Sequence, residues 1–277
     1  MRFARSAALL LSLSVPLAAA AQPQQREGVE LGQPSALRSL VPAEELERAA
    51  AMQYAQLMQQ AATQRALAPA DHPQVKRLRA IAARLIPFGP PFNPRAEQWK
   101  WEVNLIGSKQ INAFCMPGGK IAFFTGILDT LKLTDDEVAA VMGHEIAHAL
   151  QEHARERIAK SELTQIGAAV LGQLIGRGRY ADAFQTGGSL LTLKFSRDDE
   201  TEADVVGLEL AARAGYDPRA AVSLWKKMDA ASKGGPPQWL STHPAGPSRI
   251  KEIEKHLPAV MPLYAKAKQP SGTALPR

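Results

Sequence analysis

Residues 134–150 read Thr134-Asp135-Asp136-Glu137-Val138-Ala139-Ala140-Val141-Met142-Gly143-His144-Glu145-Ile146-Ala147-His148-Ala149-Leu150, and this stretch decides the fold. Thr134 and Glu137 make a capping box, which predicts a helix opening there and running to about Lys160. At about 100° per residue, Val138, Val141, Met142 and Ala149 define its apolar face. His144 and His148 fall on the flank of that face, about 40° apart, so both imidazoles can reach one ion. Glu145 falls inside the face. A carboxylate there is costly unless it is paired or faces a metal, and beside two ligands it is placed to act as general base on a metal-acidified water. The bland alternative is a solvated polar flank. His153 would lie roughly 180° around the same helix from His144. A three-histidine site would need glycine three residues after His148 and histidine six after it, where Gln151 and Ala154 stand. His153 is therefore expected to be structural or at the surface.

Two histidines do not complete a catalytic zinc site. The chain has one cysteine, Cys115, so no thiolate cage and no intrachain disulfide can form. The remaining ligand must be a carboxylate or another histidine. Glu200 is the best-placed acid, in Glu200-Thr201-Glu202-Ala203-Asp204. Ser196 and Asp199 open that helix, and Glu200 and Asp204 share a face with the small residues Ala203, Gly207 and Ala211. Small residues let the two helices approach closely. Glu200 would ligate, and Asp204 would accept the other imidazole N–H of a ligand histidine. Acids in a first turn also simply favour the helix dipole, and without the His144 motif that reading would prevail. Glu202 is expected to point to solvent.

Upstream, a helix is predicted from Pro42 to about Leu67 and another from His72 to Leu85, with Val75, Leu78, Ile81 and Leu85 at helical spacing. The period then changes to two along Trp99 to Leu105. Ile111 to Met116 and Lys120 to Phe124 flank the turn signal Pro117-Gly118-Gly119, giving a small antiparallel sheet. Downstream the pattern is helical, with a last helix from Ser248 to Leu257. The fold class is α+β and helix-dominated. The apolar stretch Ile166 to Ile175 is read as a core helix, with a lid in peripheral contact with a membrane as the alternative.

The chain has 277 residues, six histidines and a formal net charge of +6, with no dense basic run to suggest nucleic acid. Residues 1–21 carry Arg2 and Arg5, an apolar run from Ala7 to Leu17, and small residues at Ala18 to Ala21, the pattern of a cleaved secretory signal. The apolar run is shorter than the ~20 residues needed to span a bilayer. The expected organisation is a signal over 1–21, a flexible lead over 22–41, a domain over 42–258 and a tail over 259–277. A periplasmic location follows from that signal.

Taken together, Asn112-Ala113-Phe114, Pro117-Gly118-Gly119, Thr125-Gly126, His144 to His148, Phe195-Ser196-Arg197, Glu200 to Asp204 and Thr242-His243-Pro244 resemble a known family. It is the zinc peptidases that include the CAAX prenyl protease, the HtpX heat-shock protease and the BepA-like proteases, peptidase family M48. The likeness covers roughly residues 75 to 257. It implies a zincin-like (gluzincin) domain with one zinc per chain, held by His144, His148 and Glu200, with Glu145 as base. It also implies catalytic roles for His243 and Arg249. His243 would donate to the oxyanion or close the site by taking the open zinc position. Asn112, Ala113 and Phe114 would present a strand edge to an extended peptide. On this reading the chain is expected to lack the spanning helices of the membrane members and the helical-repeat domain of the BepA-like ones. The implied function is an endopeptidase acting on misfolded or unassembled envelope polypeptides. The competing reading is a chaperone or assembly factor with a latent or structural zinc site.

Overall fold

The structure is a computed structural model, and it describes residues 27–32, 35–166, 190–232, 237–244 and 247–269. The segment read as a secretory signal, most of the apolar stretch Ile166 to Ile175, and the glycines at 187 and 188 lie outside the described residues. Among the described residues no helix is long and apolar enough to cross a membrane.

The chain opens with α1 (Ala43–Thr63) and α2 (Pro73–Leu85). In α2 the predicted stripe of Val75, Leu78, Ile81 and Leu85 is fully buried. Three strands follow: β1 (Glu102–Ile106), β2 (Ala113–Met116) and β3 (Lys120–Phe124). At Pro117-Gly118-Gly119, the Gly119 N–H donates to Met116 O at 3.2 Å. Proline followed by Gly118 at φ +79° is the pattern of a type II turn. The turn makes β2 and β3 antiparallel, but β1 pairs with β3 in parallel, so the sheet is mixed with order β1-β3-β2. This corrects the antiparallel expectation. The connection from β1 to β2 crosses the end of β3, where Ser108 O accepts from the Gly126 N–H and the Thr125 hydroxyl. Alternation of side chains reports burial and carries no strand direction. The outcome matters for the site: β3 is buried throughout, and β2 is left as an edge strand.

After α3 (Thr125–Leu131) comes α4 (Asp135–Leu150), the helix of the opening stretch. Both halves of its capping box form, Glu137 N–H to Thr134 Oγ1 at 3.3 Å and Thr134 N–H to Glu137 Oε2 at 2.8 Å. Glu137 also accepts from Lys227 Nζ at 2.6 Å and from the Ser223 hydroxyl at 2.8 Å. Burial would raise its pKa, but those donors hold it below the ordinary carboxylate value. The ionised form is therefore favoured by folding. Its contribution is present above the unfolded carboxylate pKa and is lost as pH falls through the lower folded value. Glu137→Gln is expected to cost about 1–2 kcal/mol at neutral pH. Urea titrations at neutral and acid pH should show the gap between variant and wild type shrinking on acidification.

The helix does not run to Lys160. Glu152 adopts φ +53°, and a new helix, α5, begins at His153 (His153–Ile166). A left-handed residue ends an α-helix and redirects the chain. Everything after Glu152 therefore loses the angular relation to His144 that a continuous helix would impose.

The helices α6 (Arg197–Arg213), α7 (Ala220–Ala231), α8 (Gln238–Thr242) and α9 (Pro247–Lys268) complete the fold. Ser196 and Asp199 cap α6 as predicted. α4 and α6 cross at bare backbone. A Cβ on Gly207 would lie 2.8 Å from His144 N, and one on Gly143 would lie 2.9 Å from Gly207 O. α9 continues past the expected end near Leu257, through Pro258 and Pro262, because Val260 and Leu263 are buried in the core beyond them. The lead is also more ordered than predicted. Ala36–Leu40 is a 3-10 helix, Val41 is buried, and the Val29 N–H donates to Glu209 Oε2 at 2.7 Å.

Candidate metal centre

α4 places His144 and His148 one turn apart, and the glycine crossing brings Glu200 of α6 against them. The loop after α8 adds His243. One ligand atom from each of His144, His148, Glu200 and His243 falls within 4.8 Å of all the others, and the four side chains are buried.

Tautomers can be assigned from the groups behind the ring nitrogens. Asp204 Oδ1 lies 2.9 Å from His144 Nδ1. An ionised carboxylate only accepts, so Nδ1 carries the proton and the Nε2 lone pair faces the cluster. Burial pushes the His148 pKa down, which favours the neutral imidazole that a metal needs. Its Nε2 stands 3.0 Å from His144 Nε2. Glu200 adds negative charge at the same point, with Oε1 3.4 Å from His148 Nε2 and Oε2 3.6 Å from His144 Nε2. Burial would raise the Glu200 pKa, but the charge of His243 beside it holds it far below the ordinary range.

These observations test whether an ion fits. A tetrahedral zinc with ligand bonds of about 2.0–2.1 Å has ligand–ligand edges of about 3.3 Å. With Glu200 Oε1 as the ligand oxygen, the edge from His144 Nε2 to His148 Nε2 is 3.0 Å and the edge from His148 Nε2 to Glu200 Oε1 is 3.4 Å, both close to that value. Lone pairs and a carboxylate converging in a buried space repel unless a cation stands among them. The donor set of imidazole nitrogens and one carboxylate suits zinc.

His243 Nδ1 lies 2.9 Å from Glu200 Oε1 and 3.3 Å from His144 Nε2, so it sits at the fourth corner. Burial opposes its charging, but Glu145 and Glu200 raise its pKa. Glu145, between the two helix histidines, accepts from Trp239 Nε1 at 2.6 Å. Arg249 donates to Asp204 through Nε at 2.8 Å and Nη2 at 2.6 Å, and to Glu200 Oε2. Its guanidinium stacks on Trp225 at 3.8 Å. It is not among the residues lining the cleft.

A cleft of about 490 Å³ runs beside the cluster, between the β2 edge and the segment 190–195. Asn112, Ala113 and Phe114 line it, together with Glu145, His148 and His243. Leu190, Leu191 and Leu193 form its apolar opposite wall.

Four participants were given no role at the site by the sequence reading. Phe195 stacks on His148, with centroids 4.0 Å apart at 26°. Trp239 holds Glu145, and a signal for it existed: it precedes His243 by four residues and shares its face on a short helix. His153 was expected to be structural or at the surface; it is fully buried, with Nδ1 2.8 Å from His148 Nδ1. Glu202 was expected in solvent and instead lies 3.2 Å from His153 Nε2. The turn at Glu152 is the reason, because it swings His153 back over His148.

The model of peptidase family M48 matches residues 69–257. The chain is 43% identical over 152 residues to mitochondrial metalloendopeptidase OMA1 of Arabidopsis thaliana, covering 54% of this chain and 30% of that one. It is 36% identical over 192 residues to mitochondrial metalloendopeptidase OMA1 of Schizosaccharomyces pombe, covering 69% and 55%. It is 28% identical over 196 residues to metalloprotease LoiP of Escherichia coli, covering 70% and 74%. The match thus spans about a third to a little over half the length of the two OMA1 relatives. Their mitochondrial names overturn the periplasmic placement read from the leader. With its histidine–carboxylate cluster inside the matched region, the chain belongs to peptidase family M48.

Proposed function

We propose that this chain is a zinc metalloendopeptidase that cuts misfolded or unassembled polypeptides in extended form. His144, His148 and Glu200 hold the zinc, Asp204 and Arg249 orient them, and Glu145 is the general base. Bound zinc supplies Lewis acidity, polarising the scissile carbonyl and lowering the pKa of water towards ~7. Glu145, fixed through Oε1 by Trp239, takes the proton from the attacking water and passes it to the leaving amine. His243, beside Glu145 and Glu200 at the cleft, would donate a hydrogen bond to the oxyanion.

The observation that carries this reading is the position of the edge strand β2 along the same cleft as the cluster. An extended peptide can add to such an edge by main-chain hydrogen bonds, which ask little of its sequence and much of its being unfolded. Leu190, Leu191 and Leu193 offer apolar surface to its side chains. Zinc-loaded protein should degrade casein and spare a stably folded protein of similar size. Chelation should stop cleavage and added zinc restore it. Degradation of both substrates at equal rates would defeat the preference for extended chains.

One observation favours a second reading. With His243 as a fourth protein ligand the site would be closed, as in structural zinc sites, and the chain would act as a chaperone or assembly factor. His243→Ala separates the two. An opened site should still bind zinc and admit substrate, whereas a structural site should lose stability with no gain of access.

A further inference from the structure

We propose that His153 and Glu202 form a hydrogen-bonded relay that fixes the tautomer of His148 and so raises the affinity of the site for zinc. The inference rests on the reading of His148 as a metal ligand. It concerns residues to which the resemblance assigns no role.

The chain of contacts has one consistent assignment. Glu202 Oε2 lies 3.2 Å from His153 Nε2 and can only accept, so His153 carries its proton on Nε2. The lone pair of His153 Nδ1 then faces His148 Nδ1 at 2.8 Å. His148 must donate from Nδ1, which leaves its Nε2 lone pair for the cluster. The opposite tautomer would set two lone pairs against each other at 2.8 Å and a proton against the ion. The environment leaves little room for other arrangements. His153 is fully buried, its ring meets the His148 ring edge-on at 4.9 Å, and Phe195 stacks on the other face of the assembly. Arg38 Nη2 lies 3.9 Å from Glu202 Oε2, on the far side of that carboxylate's contact with His153.

The arrangement parallels the other ligand. Asp204 fixes His144 directly, whereas Glu202 fixes His148 through an intervening imidazole. Both acids come from α6, which also supplies Glu200, so one helix provides the ligand carboxylate and, from two of its faces, the acids behind both tautomers. Groups behind ligand histidines typically contribute 10–100-fold in metal affinity. His153 and Glu202 are positioning residues, since neither reaches the cleft.

The test is zinc affinity, measured by competition with a chromogenic chelator on metal-free protein. Wild type, His148→Ala, His153→Ala, Glu202→Ala and Glu202→Gln are compared. We expect His153→Ala to weaken zinc binding by about 10–100-fold. Glu202→Ala should weaken it too, and Glu202→Gln, whose amide oxygen still accepts, should largely restore it. Imidazole nitrogen NMR of the metal-free protein should show the His148 proton on Nδ1 in wild type and exchange between tautomers in Glu202→Ala. Glu202 is partly exposed, so its variants decide the matter if His153→Ala fails to fold. Zinc affinity within twofold of wild type in Glu202→Ala, with a single His148 tautomer retained, would overturn the relay. If His148→Ala binds zinc as wild type does, the underlying metal assignment fails instead, and the two failures are distinguishable.

Discussion

Glu145→Gln is expected to lower kcat/KM for an unfolded protein substrate by about 10³-fold or more while leaving zinc content unchanged. The size follows from the role: general acid–base catalysis contributes about 10²–10⁴-fold, or about 3–5 kcal/mol of barrier. The specificity follows from the structure. Glu145 sits between the two helix histidines but is not one of the four convergent groups, and its oxygen is held by Trp239 Nε1 at 2.6 Å. Glutamine keeps an oxygen for that hydrogen bond and loses only the ability to take a proton. Single-turnover cleavage with parallel metal analysis separates the outcomes. Equal turnover by both proteins would remove Glu145 from the chemistry. Loss of zinc together with activity would make it a ligand.

Gly207→Val is the second large effect, and it lies outside the donor set. The crossing of α4 and α6 is backbone against backbone, so a Cβ at Gly207 would meet His144 N at 2.8 Å and Gly143 C at 3.0 Å. No side chain can move aside there. The helices must separate, and the separation falls between His144 and Glu200, the groups that must converge. Overpacking of this kind costs about 3 kcal/mol, which for a domain of this size lowers Tm by about 6–12 °C. Zinc affinity should fall with it. Calorimetry with and without zinc checks both. A variant that keeps its Tm and its zinc would mean the crossing is not what sets ligand spacing.

Much of the centre was legible because local rules carry it. The capping boxes at Thr134 and Ser196 fix where α4 and α6 begin, and helical periodicity then places His144, His148, Glu200 and Asp204. Gly207 marked the close approach. What periodicity cannot show is where it ends. Glu152 is neither glycine nor asparagine, yet it takes a left-handed conformation, and the 180° angle assigned to His153 held only for an unbroken helix. The same limit hid Glu202, whose outward position on α6 is covered by the returning chain. The parallel pairing of β1 with β3 was invisible because alternation is the same in both directions. The length of α9 was misread because its prolines suggested an end, whereas burial of Val260 and Leu263 holds the helix together beyond them. Trp239 is distant from Glu145 in sequence, and only the tertiary fold joins them.

Crystals of the zinc-loaded protein, with anomalous diffraction recorded on either side of the zinc absorption edge, test the central claim most directly. The account predicts one peak per chain, bonded to His144 Nε2, His148 Nε2 and Glu200, with Asp204 on His144 Nδ1. A peak held by other residues, or no peak in protein that still cleaves casein, would contradict it.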